Sequence, residues 1–319
     1  MAEAPAAPPL AWQADFLRRH QLGAAYLATA RKWFDPLVTR LCLHHKGAQG
    51  TLMVGINGCQ GSGKTTLVDY LAHALAAGGL HCVSLSLDDF YLTRAERQAL
   101  AAAVHPLLAT RGVPGTHDMP LMQRCLQRLK AGDLSEQHPL HLPRFDKAMD
   151  DRSPPTQWLT VNQPVDIVLF EGWCLGVDAQ PDDALLAPVN DLERAEDPDG
   201  RWRVAVNAVL ARDFGPVHAL VDVWVMLAAP SFACVQRWRQ EQEDKLRQRL
   251  GSGALDPSAS DHGALDCSTR DHSMTPAQVA RFIQHYQRLT EWSLATLPGC
   301  VDELFTLDDQ RHILVGGTR

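Results

Sequence analysis

The segment Gly58-Cys-Gln-Gly-Ser-Gly63-Lys64-Thr65 fits the phosphate-binding pattern Gly-x4-Gly-Lys-[Ser/Thr]. Glycines at these positions let the backbone wrap an anion, so that several N–H groups and a following helix N-terminus point at it. In that geometry Lys64 reaches the β- and γ-phosphates of a nucleotide, and Thr65 offers its hydroxyl to Mg²⁺. Gly58, Cys59, Gln60, Gly61, Ser62, Gly63, Lys64, Thr65 and Thr66 therefore form the expected nucleotide-binding stretch. Two acidic features accompany it: Asp88-Asp89-Phe90-Tyr91 follows one apolar run, and Phe170-Glu171-Gly172-Trp173 closes another. A carboxylate in either place can accept the proton of an attacking hydroxyl or hold Mg²⁺. A plainer reading makes Asp89 a helix cap and Glu171 a chance strand end. Neither Asn-Lys-x-Asp nor Thr-Lys-x-Asp occurs, so the usual guanine-reading element is absent and adenine is the expected base.

These residues need a scaffold that brings them to one edge. Thr51 to Asn57 is apolar enough for a strand buried on both faces, and Thr65 to Ala77 has helical spacing ended by Gly78-Gly79. Further strands are expected at His81–Leu87, Val165–Phe170, Ala219–Leu227 and Glu303–Leu307, and a helix at Pro230–Leu250. Strands separated by helical stretches predict an α/β fold: a parallel sheet with helices on both faces, its ligands at the carboxyl ends of the strands. Residues 10 to 45 read as helices, so the expected division is an N-terminal helical extension, 1–48, and a phosphate-loop domain, 49–319. Residues 251–273 hold a near-tandem decapeptide, Gly253 to His262 and Gly263 to His272, read as a mobile insertion beside a lid at about 230–273.

At 319 residues, 45% hydrophobic and 21% charged, the chain suits one large domain or two small ones. Its acidic residues outnumber its basic ones by 37 to 30, which argues against a broad nucleic-acid surface. An anionic ligand must then be met by local positive charge. Only six lysines occur, and two of them, Lys64 and Lys147, fall in stretches with chemical potential. The eight cysteines show no Cys-x-x-Cys pair and no zinc spacing. With no secretory leader and no apolar run near the roughly 18 residues of a membrane span, a cytoplasmic protein without membrane contact is expected.

Taken together, the phosphate loop, Asp88-Asp89-Phe90-Tyr91 and Phe170-Glu171-Gly172 resemble the kinase group of phosphoribulokinase, uridine kinase and pantothenate kinase. More narrowly, Gly55 to Thr66, Leu87 to Thr93, Arg111 to Asp118, Leu142 to Lys147 and Phe170 to Gly176 resemble the plant-type D-glycerate 3-kinase family and its bacterial relatives. Arg237-Trp-Arg-Gln-Glu241 and Gln287 to Trp292 are similar too, so the likeness runs from about residue 12 to about residue 313. It implies an ATP- and Mg²⁺-dependent kinase that phosphorylates D-glycerate to 3-phosphoglycerate. Asp88 is then the base that orients the acceptor hydroxyl, Glu171 and Thr65 hold the Mg²⁺ shell with Asp88, and Lys64 neutralises phosphate charge. Arg237 on the 230–250 helix is the expected lid arginine for the transferring phosphoryl group. Asp89, Tyr91, Arg111, His117, Asp118, Arg144 and Lys147 make up the expected acceptor pocket, since glycerate needs a cation for its carboxylate and partners for its hydroxyls.

Two departures stand out. The stretch after Lys147, Ala148-Met-Asp-Asp-Arg152, is shorter than the family's Gly/Arg-rich element, and Phe145 stands where Tyr is usual. Other readings stay open at this stage. Each pocket Arg or Lys can be a solvated surface charge, His117 a structural hydrogen-bonder, and the 230–250 helix a salt-bridged one. The acceptor can be another small hydroxyl compound, such as a nucleoside, a pantothenate-like molecule or a sugar acid. A non-catalytic ATP-binding regulator is the reading from another class.

Overall fold

The computed structural model of the chain describes residues 10–252 and 274–318, the side chains of 245–252 excepted. The N-terminal tip and the decapeptide repeat at 253–272 lie outside the described residues.

Two helices come first, α1 (Ala11–His20) and α2 (Tyr26–Gly47), followed by β1 (Leu52–Gly58), α3 (Lys64–Ala77) and β2 (Cys82–Ser86). The middle of the chain holds α4 (Arg94–Ala103), α5 (Met119–Ala131) and four short strands, β3 (Leu140–Leu142), β4 (Phe145–Asp146), β5 (Asp151–Arg152) and β6 (Leu159–Val161). Next are β7 (Ile167–Gly172), α6 (Asp191–Glu196) and α7 (Arg201–Val209), which runs through a π turn into α8 (Gly215–His218). The chain ends with β8 (Val223–Ala228), α9 (Phe232–Ser252), α10 (Pro276–Thr296), β9 (Glu303–Leu307) and β10 (Ile313–Thr318).

The main sheet has the order β10-β9-β8-β1-β7-β2 and is parallel apart from β10. Its central strands β1 and β7 are buried at every residue, which is why they read as unbroken apolar runs rather than alternating ones. From β1 the chain passes through α3 to β2, two places away, while β8 flanks β1 on its other side. Such a reversal opens a crevice at the carboxyl ends of the strands. Register makes that crevice a site, because Glu171 on β7 stands between Ile56 of β1 and Ser86 of β2.

The helices at the N-terminus join the same core. Phe34 meets Phe305 of β9 edge-to-face at 6.1 Å, Tyr70 of α3 donates to Asp35 at 2.6 Å, and Arg40 forms a bidentate pair with Glu303. Burying side chains such as Phe16, Phe34 and Leu41 contributes ~1.5–3 kcal/mol each.

Three sequence expectations change. Residues 219–222 are not strand: Ala219, Leu220 and Val221 donate back to the carbonyls of α8 and close that helix, so β8 starts at Val223. The sheet is not wholly parallel, because β10 adds an antiparallel edge. Its glycines hide it as a strand, yet a Cβ at Gly316 would lie 2.4 Å from the Phe305 ring, so a small residue is required there. The helix expected at 230–250 starts two residues later, at Phe232. Among the described residues, no helix is long and apolar enough to cross a membrane.

Candidate active site

The loop from β1 to α3 is shaped by glycines in the left-handed region, Gly61 at φ 78° and Gly63 at φ 92°. A Cβ on Gly58 would come within 2.6 Å of Ser62 Oγ and 3.3 Å of Leu227 Cβ, so a larger residue there would have to displace the Ser62 hydroxyl. Ser62 N–H closes the loop's turn on the Cys59 carbonyl at 3.2 Å. Lys64 and Thr65 open α3, whose first-turn N–H groups have no intrahelical acceptors and face the strand edge with the positive end of the helix dipole. Two buried polar atoms in the loop, Gln60 Oε1 and Ser62 Oγ, have no protein partner. Such groups fit a loop built around a polar ligand.

Thr65 Oγ1 donates to both oxygens of Glu171, at 2.9 and 3.1 Å. Burial pushes the Glu171 carboxyl up from its ordinary value, and Lys64 pulls it back. A hydroxyl beside a carboxylate is a hard oxygen donor pair of the kind Mg²⁺ uses when substrate phosphates and waters complete its shell. Among the described residues no group of three His, Cys, Asp or Glu could cage a metal alone. The Thr66 hydroxyl, by contrast, lies 3.4 Å from His20 Nδ1 on α1.

Beyond β2 a single 3₁₀ turn, Leu87–Phe90, begins with a reciprocal cap between Ser86 and Asp89. This turn aims Asp88 at the crevice. Its carboxylate pairs with Lys147 Nζ at 2.7 Å and accepts from Tyr91 Oη at 2.9 Å. Burial raises the Asp88 carboxyl, but Lys147, Lys64 and the Tyr91 hydroxyl outweigh it and hold the group well below the usual carboxylate range. Lys147 is pushed up in turn, chiefly by Asp88. Asp89 behaves differently: Arg144 pairs with it at 2.7 Å, yet burial keeps its carboxyl above the ordinary value.

Lys147 reaches Asp88 because the stretch 145–152 is a tight hairpin, with Phe145 opposite Arg152 and Asp146 opposite Asp151. Asp146 accepts from Ala148 and Met149 N–H groups within it, and Asp150 takes the left-handed conformation at φ 53°. Arg111 and Arg97 both pair with Asp150, so the shortened loop is clamped from two sides. Phe145 packs edge-to-face on Tyr91 at 5.2 Å, with the Arg111 guanidinium 5.6 Å from its ring centre.

The expected site residues do not all converge. Asp88, Asp89, Tyr91, Arg144, Lys147, Lys64, Thr65 and Glu171 share the crevice. Arg111 stands behind them on Asp150. Asp118 caps α5 through the Leu121 N–H and pairs with Arg152, so both its oxygens are occupied. Arg237 donates to the Asp309 carbonyl at 2.7 Å, in the β9–β10 turn. His117 is buried, stacks on Tyr91 with ring centres 4.6 Å apart, and has no partner on either ring nitrogen.

Sequence reasoning missed Tyr286, Trp173 and Arg311. Tyr286 Oη on α10 donates to the Arg111 carbonyl at 3.1 Å, and Trp173 Nε1 donates to the Gly112 carbonyl at 2.9 Å. The two rings meet edge-to-face at 4.9 Å and floor the 111–118 loop. Helical spacing of Val279, Ile283 and Tyr286 marks that face of α10 as buried but says nothing of what it touches. Gly112, at φ 138°, lies directly under this floor, and a Cβ there would meet Tyr286 Oη at 2.1 Å. Gly112→Ala is expected to destabilise the chain by about 2 kcal/mol or more and to raise the acceptor KM, read by thermal melting and steady-state kinetics.

Buried histidines contribute to the loss of stability in acid. Burial lowers His117 and His285 from the ordinary 6.5 to about 4. Their folded values lie below their unfolded ones, so above pH 6.5 they leave stability unaffected. Between pH 6.5 and 4 the unfolded chain takes up protons that the folded chain refuses, and stability falls. The loss per histidine is roughly 3 kcal/mol at most. Urea titrations at pH 7.5, 6 and 5 should show a declining midpoint, and a flat profile would contradict this.

No family model matches the chain. It is 32% identical over 279 residues to the uncharacterized kinase mug58 of Schizosaccharomyces pombe, spanning 82% of this chain and 90% of that one. It is likewise 32% identical over 217 residues to the chloroplastic D-glycerate 3-kinase of Arabidopsis thaliana, across 66% of this chain and 45% of the plant enzyme, less than half its length. Among solved structures, the D-glycerate 3-kinase of Cryptococcus neoformans superposes with a TM-score of 0.68 at 26% identity, covering 93% of this chain and all of that one. With a phosphate loop, a strand-end glutamate and an ionised aspartate in one crevice, the chain belongs to the P-loop kinase family of these proteins, as an ATP-dependent small-molecule kinase with an alcohol acceptor.

Proposed function

We propose that this kinase, with α1 and α2 capping a single kinase domain, phosphorylates D-glycerate to 3-phosphoglycerate, using ATP and Mg²⁺. The observation that carries the reading is the Asp88–Lys147 pair at 2.7 Å, flanked by Arg144 on Asp89. Asp88 and Asp89 are each paired with a cation, Lys147 and Arg144, and a cation that can turn from its carboxylate partner suits an acceptor that is itself a hydroxylated carboxylate. The plant and fungal relatives named for D-glycerate add to that support.

In this reading Asp88 aligns the acceptor hydroxyl toward the γ-phosphorus, and Lys147 turns from Asp88 toward the acceptor carboxylate. The hydroxyl oxygen bonds to phosphorus, the bridging bond to ADP breaks, and the hydroxyl proton passes to Asp88. A carboxylate held this low is a weak base, but phosphoryl transfer has a loose transition state that asks for positioning more than for base strength. Lys64 balances charge on the β- and γ-oxygens. Thr65 and Glu171 would hold Mg²⁺, whose charge neutralises the phosphates when it is bound. The seven cysteines among the described residues are free thiols, which supports a cytoplasmic setting.

A coupled ADP-release assay across D-glycerate, uridine, pantothenate and sugar acids tests the substrate, with NMR of the product to place the phosphate. ADP release that depends on D-glycerate is expected. Turnover of another acceptor with glycerate inert would refute the assignment.

A further inference from the structure

The phosphate loop is gripped from outside by a residue that no motif contains. Arg311 lies in the turn between β9 and β10 at φ 69°, a left-handed conformation that non-glycine residues rarely adopt. Its Nε donates to the Gly61 carbonyl at 2.9 Å, its Nη2 pairs with Glu241 of α9, and its guanidinium lies 5.2 Å from the centre of the Trp238 ring. Trp238 is fully buried and anchors through Nε1 to the Asp309 carbonyl at 2.9 Å. Its own Cβ stands 2.7 Å from the place a Cβ would take on Gly61.

The consequence for the loop follows from peptide geometry. Because the Gly61–Ser62 peptide is planar, holding the Gly61 oxygen also holds the Ser62 N–H that closes the turn on Cys59. A glycine-rich loop left free would have to be ordered by the ligand itself, at a cost in affinity. We propose that Arg311 is a positioning residue for nucleotide binding, which fixes the Gly61–Ser62 peptide and ties the phosphate loop to α9 through Glu241 and Trp238. The proposal rests on the loop being the ATP site and is independent of which acceptor is used. Arg311 does not touch the reacting atoms. A planar fork that stacks and bonds at once is what the site uses, so lysine can replace its charge but not its geometry.

The test uses the full chain with Arg311→Ala, Arg311→Lys and Glu241→Gln. ATP affinity is measured by calorimetry without acceptor, alongside kcat, the KM for ATP and for acceptor, and the melting temperature. Loss of a charge-assisted bond to the loop should weaken ATP binding about tenfold or more in Arg311→Ala, with partial recovery in Arg311→Lys and a smaller loss in Glu241→Gln. The acceptor KM should stay unchanged. ATP affinity within about twofold of wild type in the Arg311 variants would overturn the proposal. So would equal rises in both KM values together with a lowered melting temperature, since that marks general loosening. If Arg311→Ala does not fold, the lysine and Glu241 variants decide by the same measurements. A wild-type chain that binds no ATP would overturn the reading of the loop as well.

Discussion

Asp88→Asn is expected to lower kcat by about 10²- to 10⁴-fold while ATP binding stays near wild type. Asparagine keeps the size of the side chain and an oxygen for the Tyr91 hydroxyl, which sits 2.9 Å away. It removes the negative charge that orients the acceptor and receives its proton. It also releases Lys147, which pairs with Asp88 at 2.7 Å in the wild type. A freed ammonium binds an anionic acceptor more readily, so the acceptor KM should not rise and can fall. Such a split, a low kcat without a raised KM, is the mark of an interaction made chiefly in the transition state. Coupled ADP-release kinetics with calorimetric ATP binding read both halves. A kcat within about threefold of wild type would remove Asp88 from the chemistry.

The second large effect is on stability. Arg288 of α10 pairs with Glu193 of α6 through Nε at 2.8 Å and Nη2 at 2.6 Å, and donates to the carbonyls of Ala184 and Ala187 at 2.7 Å each. Glu193 is fully buried and also accepts from the Val189 N–H. Arg288→Ala strips the arginine and leaves a carboxylate stranded in the interior. Breaking a buried pair from one side costs about 3–5 kcal/mol, far more than an exposed pair is worth. At this chain length that corresponds to a fall in Tm of roughly 5–8 °C, measurable by calorimetry. Removing both partners, as Arg288→Met with Glu193→Gln, should cost less than the two single changes summed, because no isolated charge is left behind. The same helix carries Tyr286, whose hydroxyl supports the Arg111 carbonyl, so the single variant should also raise the acceptor KM. A Tm within about 2 °C of wild type would show that the interior tolerates an unpaired Glu193.

The two predictions separate what could be read along the chain from what could not. The phosphate loop, its strand and its helix were legible because each depends on neighbours within one turn: glycines where φ is positive, an apolar run before, helical spacing after. Asp88 and Glu171 were legible for a related reason, since a parallel sheet brings its strand ends to one edge whatever the loops do. Elements with weaker local signals were misplaced or missed. The apolar run suggests a start for β8 at Ala219, four residues before Val223, because a helix end and a strand can share such a run, and the glycines of β10 give no strand signal because they answer to Phe305 rather than to strand propensity.

Partner choice is where the tertiary structure decided. Nothing in the sequence distinguishes Arg237 from Arg311 as the arginine that meets the phosphate loop. The fold does so by returning the β9–β10 turn to Gly61, 250 residues away in sequence, while the same turn's Asp309 engages Arg237. Likewise Lys147 meets Asp88 only because a hairpin clamped by Arg97 and Arg111 carries it there, and Tyr286 meets Arg111 across 175 residues. Backbone conformation follows from short-range sterics and periodicity, so the sequence by itself determined the sheet edge and its phosphate loop. Which side chains face one another across that edge depends on the path of the whole chain, and that only the packed structure decided.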